Sequence, residues 1–207
     1  MDKRGAGLAA LSVALVALLA ACGGKATASE PEPAATPTEQ AVDVEAVARD
    51  EIAAIDALGY PTELAEFQFE AEYENSVGGT ASTSQIDDGT SVVRMSLDPA
   101  AYEQFGPDVE TSVRSTVRHE LGHVWTFWLF PSGAEAPLSK ICLSVSERSL
   151  ATGYPANECA AEAVSEILTE QRGGERVVFY GLALSERSID GMRPIVDGAP
   201  SWTTPGA

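Results

Sequence analysis

His119-Glu120-Leu121-Gly122-His123 contains both histidines of a 207-residue chain. Four residues is just over one turn of α-helix, so on a helix the two imidazoles leave the same face and can share one metal ion. Glu120 then lies on the flank of the pair, where a carboxylate can reach a metal-bound water. A hydrolytic zinc centre uses three protein ligands and one exchangeable water. With no histidine left over, the third ligand is expected to be a carboxylate or a thiolate. The stretch is therefore read together with Asn157-Glu158-Cys159-Ala160-Ala161-Glu162, further along the chain.

Around the histidines, a helix is expected from about Val109 to Trp128. Val113, Val117, Leu121, Val124 and Trp128 form one apolar stripe, and at about 100° per residue the two histidines fall nearly opposite it. Such a helix buries one side under a sheet and offers the other to a cleft. Trp125 and Trp128 are expected in the core, and Phe130-Pro131-Ser132-Gly133 ends the helix.

Upstream, Val44, Val47, Ile52, Ile55 and Leu58 recur at helical intervals and stop at Gly59-Tyr60-Pro61, giving a first helix. Residues 66–74 alternate strictly, with Phe67, Phe69, Ala71 and Tyr73 on one face and Glu66, Gln68, Glu70, Glu72 and Glu74 on the other. That pattern predicts a half-buried strand. Gly78-Gly79 and Asp88-Gly89 flank a polar strand, and Val93, Met95 and Leu97 alternate in a third. The expected sheet is an antiparallel three-stranded meander.

Downstream, residues 156–171 predict a helix stopped by Gly173-Gly174. On it Glu158, Glu162, Ser165 and Thr169 share one face. The last thirty or so residues hold one apolar run, Val177 to Leu184, and a loose Pro/Gly-rich end to which no chemistry attaches. The expected class is α+β: a small antiparallel sheet packed on the helix of His119 and His123, and a second helix carrying glutamates.

The pair of motifs resembles the gluzincins, the thermolysin-like zinc metallopeptidases, whose second motif is Asn-Glu-x-x-x-Asp. Here Asn157-Glu158-x-x-x-Glu162 has Glu in the last place, one methylene longer. Glu158-x-x-Ala161-x-x-Val164-Ser165 is also similar to the minimal members that lack a C-terminal domain. The resemblance covers about 60 residues. It implies a zincin-like fold, Zn2+ held by His119, His123 and Glu158, Glu120 as general base, and Glu162 accepting the outer N–H of His119. Glu162 and Glu166 remain alternative ligands. Thr126 and Leu129 stand where the longer metzincin pattern needs Gly and His, which excludes that arrangement. An oxyanion donor would have to be Tyr102, Tyr154 or Tyr180.

The N-terminus points outside the cytoplasm. Lys3 and Arg4 precede an apolar run from Leu8 to Ala20 of secretory length, too short for a membrane span. Leu19-Ala20-Ala21-Cys22 resembles a bacterial lipobox, which implies a signal peptide over residues 1–21, lipidation of Cys22, and a protein anchored on the extracytoplasmic face of a cell membrane. Residues 22–40, rich in Pro, Ala, Thr and Glu, read as a disordered tether with a reach of about 25 Å. Residues 41–207 then form the metallopeptidase domain. In that oxidising setting Cys142 and Cys159 are expected to pair, contributing about 3 kcal/mol by loop closure.

Formal net charge is −18, which disfavours nucleic acid and electrostatic adhesion to anionic lipid. The expected function is a lipid-anchored zinc metallopeptidase acting on a peptide or protein substrate. The alternative is a non-catalytic zinc-binding lipoprotein that uses the same scaffold for binding or assembly.

Overall fold

The α+β architecture is seen in a computed structural model that describes residues 41–74, 79–86, 90–106, 108–142, 153–175, 177–179 and 184–202. The expected leader, the Cys22 lipidation site and the tether lie outside the described residues, as does Tyr180. Among the described residues no helix is long and apolar enough to cross a membrane.

Helix α1, Val44–Asp56, starts where the Asp43 carboxylate accepts the Ala46 N–H at 3.0 Å. Its buried face carries Val44, Ala48 and Ile55, and also Glu51, which is fully buried. Leu58, expected on the apolar stripe, lies beyond the helix and is exposed.

The sheet corrects the meander. Strands β1 (Ala65–Glu70), β2 (Ala81–Gln85) and β3 (Ser91–Ser96) are ordered β1-β3-β2, with β1 parallel to β3 and β2 antiparallel to it. Alternation reports which face a strand buries, not which neighbour it takes. β3 holds the two fully buried strand side chains, Val93 and Met95, and takes the centre, where both its edges pair. The polar Ala-Ser-Thr-Ser-Gln of β2 takes an edge. β1 ends at Glu70 instead of running to Glu74.

Helix α2, Val109–Leu129, is capped by Asp108, whose carboxylate accepts the Thr111 N–H at 2.7 Å. The expected division into a buried stripe and an open cleft side does not hold: residues 115–126 are all buried. After the short helix α3, Glu135–Leu138, helix α4, Pro155–Arg172, covers the face that carries the histidines. Gly122 permits this closeness. A Cβ there would sit 2.6 Å from Ala161 Cα and 3.1 Å from Val164 Cβ.

A last helix, α5, Glu186–Gly198, replaces the expected loose end. Ser185 caps it through the Ser188 N–H. Met192 and Val196, both fully buried, pack it on the core formed with α4. Gly191 and Pro194 break its sequence pattern, yet Gly191 is where Ile141 approaches; a Cβ would meet Ile141 Cγ2 at 2.6 Å.

Candidate metal centre

Helix α2 holds His119 and His123 with their Nε2 atoms 3.1 Å apart. From α4, Glu158 Oε2 lies 3.3 Å from His119 Nε2 and 3.4 Å from His123 Nε2. Donors about 2.0–2.1 Å from a tetrahedral ion are separated by edges of about 3.3–3.4 Å. The three atoms therefore form a near-equilateral face of the size that one small tetrahedral cation requires. Glu158 Oε2 is buried and has no hydrogen-bond partner, a costly position for a carboxylate oxygen unless a cation or proton is shared with it. Among the described residues these three are the group of His, Cys, Asp and Glu side chains placed to hold a metal ion.

Charge within the cluster is balanced by pairing. Burial pushes the Glu158 carboxyl up, but His123 and His119 beside it outweigh burial and hold it well below the usual carboxylate range. Burial lowers the His123 imidazole, and the charge of Glu158 reverses this, raising it to about 9. A cation entering this face replaces the proton that otherwise joins the pair.

Glu120 stands apart from the ligand face. Its Oε2 accepts a 2.6 Å hydrogen bond from Thr83 Oγ1 on β2, and its side chain is nearly buried at 6 % exposure. The edge strand thus fixes the carboxylate that flanks the histidines. Glu162 is fully buried, with Oε1 3.7 Å from His119 Nδ1 and accepting the Phe179 N–H at 2.6 Å. His119 is therefore faced by Glu158 at one ring nitrogen and by Glu162 at the other. The Phe179 ring lies 5.2 Å from the His119 ring. Glu166, the other alternative ligand, is outside the cluster.

The start of α4 is held from elsewhere. Tyr154 makes no side-chain cap; instead Glu135 accepts the Ala156 N–H at 2.9 and 3.2 Å and the Asn157 N–H at 3.1 Å. An anion at a helix N-terminus is favourable for both hydrogen bonding and the helix dipole. Asn157 Oδ1 accepts from Thr126 Oγ1 at 2.8 Å, tying α4 to α2 beside His123. Neither Thr83 nor Glu135 is marked in the sequence: each acts across a long separation, and each sits in a polar stretch without a motif.

Cys142 and Cys159, the expected disulfide pair, are both buried. The two thiols are neighbours: a hydrogen bond with Cys159, then burial, push the Cys142 thiol up. Of the tyrosines, Tyr102 is fully buried and donates to Ser96 O at 2.8 Å, so its hydroxyl is already committed. Burial, and then the charge of Glu120, push its phenol up and keep it neutral. Tyr154 is 61 % exposed, one turn before Glu158.

Comparisons with protein-family models, curated proteins and solved structures return no match for this chain.

Proposed function

We propose that this chain is a zinc-dependent metallopeptidase of zincin-like architecture, similar to minimal gluzincins, with His119, His123 and Glu158 as ligands and Glu120 as general base. The observation that carries the reading is the buried face of three donor atoms, 3.1–3.4 Å apart, with a separately anchored carboxylate at its flank. Two imidazoles and a carboxylate form a ligand set that suits zinc and leaves a coordination place for water. When bound, zinc supplies a Lewis acid that polarises a carbonyl and acidifies water.

The chain's own residues do the rest. Glu120 Oε1, the oxygen that Thr83 does not engage, accepts the proton of the attacking water and returns it to the leaving amine. Thr83 holds that carboxylate in one rotamer. Glu162 holds the His119 ring, itself anchored through the backbone of Phe179. β2, the edge strand that touches Glu120, is the kind of element beside which an extended peptide adds, which favours a peptide substrate. The leader and Cys22 support a lipid-anchored place on the extracytoplasmic face of a membrane.

One observation favours the non-catalytic alternative. His119, Glu120, His123 and Glu158 are all below 8 % exposed, as in a closed, binding-only site. Cleavage of a peptide library by wild type and Glu120→Gln, with zinc content measured in both, separates the readings. A peptidase loses about 10²–10⁴-fold in rate with zinc retained; identical cleavage profiles rule out Glu120 as base and end the peptidase reading.

A further inference from the structure

Glu158 lies in the first turn of α4, and that position offers its carboxylate two uses. The N–H groups at the start of a helix have no partner within it and attract an anionic side chain. A first-turn glutamate that folds back onto them is lost as a metal ligand. Here each of those N–H groups is accounted for without the Glu158 side chain. Pro155, the first residue of α4, has none. Ala156 donates to the two Glu135 oxygens at 2.9 and 3.2 Å, and Asn157 donates to Glu135 Oε2 at 3.1 Å. The Glu158 N–H donates to Tyr154 O at 3.1 Å. Glu158 Oε2 is left without a hydrogen bond, 3.3 and 3.4 Å from the two imidazole nitrogens.

The segment that carries Glu135 is itself fixed. Leu138, fully buried, anchors α3, which packs on α4. Ile141 fills the space that Gly191 of α5 leaves open. Cys142 then neighbours Cys159, so residues 135–142 hold α4 on both sides of Glu158. On the α2 side, Thr126 Oγ1 donates to Asn157 Oδ1 at 2.8 Å.

We infer that Glu135 is a positioning residue for the ligand carboxylate: it occupies the free N–H groups of α4, so that Glu158 is committed to the histidines. This role rests on the metal-centre reading for what Glu158 holds, and on these hydrogen bonds for what Glu135 does. Glu135 acts through the backbone of the two residues before Glu158. Ordinary helix capping is the competing explanation, in which Glu135 adds stability and the ligand is indifferent to it.

The test measures zinc affinity by competition with a chelator, beside thermal unfolding of the same proteins. Glu135→Ala removes both acceptor oxygens, and Glu135→Gln keeps one of them without the charge. Asp43→Ala removes a cap of the same kind from α1, a helix that carries no ligand. Groups that hold a metal ligand in place typically contribute about 10- to 100-fold in affinity, so Glu135→Ala should weaken zinc binding by that factor. Glu135→Gln should fall between it and wild type. Asp43→Ala should unfold at a lower temperature yet bind zinc within about threefold of wild type, because separated sites act independently. Cobalt(II) in place of zinc gives a second readout: its visible spectrum should change in Glu135→Ala, because the ligating carboxylate is displaced. If Glu135→Ala does not fold, Glu135→Gln decides by the same two readouts. Wild-type zinc affinity or an unchanged cobalt spectrum in the Glu135 variants overturns the positioning role. So does a loss of affinity in Asp43→Ala as large as that in Glu135→Ala. A wild type that binds neither zinc nor cobalt removes the metal centre itself, and the role of Glu135 with it.

Discussion

Thr83 is the residue whose contact bears most directly on the proposed chemistry. A hydrogen bond to a charged group contributes about 1.5–3 kcal/mol, here through the 2.6 Å contact with Glu120. Thr83→Val keeps the shape and removes the donor. It should lower kcat by about 10- to 100-fold with zinc content unchanged; steady-state kinetics beside metal analysis check this, and an unchanged kcat contradicts the role. The clustering of His119 and His123 was legible in the sequence because imidazoles four residues apart on a helix leave the same face. Glu158 was legible only through its resemblance to a motif, and its place across from the histidines depends on packing. Thr83 was not legible at all, because its partner is 37 residues away and joined to it only by sheet-to-helix contact.

At the scale of elements, the site exists because α2 and α4 approach closely at Gly122. An alanine there recovers about 1 kcal/mol of helix propensity, but its Cβ meets the backbone of Ala161 at 2.6 Å, where overpacking costs about 1–3 kcal/mol. Separation of the helices also draws Glu158 away from the histidines. Gly122→Ala is therefore expected to destabilise the fold modestly and weaken zinc binding by at least about tenfold, as competition with a chelator would report. Wild-type zinc affinity in a less stable variant would break the link between packing and ligation. Helices α1, α2 and α4 were legible because each carries a cap or stop signal and a 3.6-residue apolar period. Helix α5 was not, since Gly191 and Pro194 interrupt its pattern and Gly191 is there for Ile141. The order of the strands was hidden for a different reason: pleat alternation is the same in parallel and antiparallel pairing.

Across the whole molecule, Glu51 joins three elements. Its carboxylate pairs with Arg118 at 2.8 Å and Arg114 at 3.1 Å on α2, and with Arg172 at 3.4 Å at the end of α4. Burial raises the carboxyl, and Arg118, then Arg172 and Arg114, more than offset this and hold it below its ordinary value. A depressed carboxyl stabilises the fold above its unfolded pKa, and that contribution is lost as pH falls through the lower, folded value. Glu51→Gln leaves Arg118, only 3 % exposed, without its charge partner, at a cost of about 3–5 kcal/mol. Thermal unfolding should show a wide gap between wild type and variant near pH 7 that narrows once pH drops below about 4; a gap independent of pH argues against the pairing. Composition indicated a strongly acidic chain but not this interior network, since a glutamate on the apolar face of α1 looks like a solvated charge until its arginines are in place.

The central claim is that His119, His123 and Glu158 bind one zinc ion, and metal analysis of purified protein tests it most directly. Wild type should contain one equivalent of zinc after dialysis, and Glu158→Gln, still folded by circular dichroism, should lose it. Full zinc retention in Glu158→Gln, or a wild type that binds none, would contradict the claim.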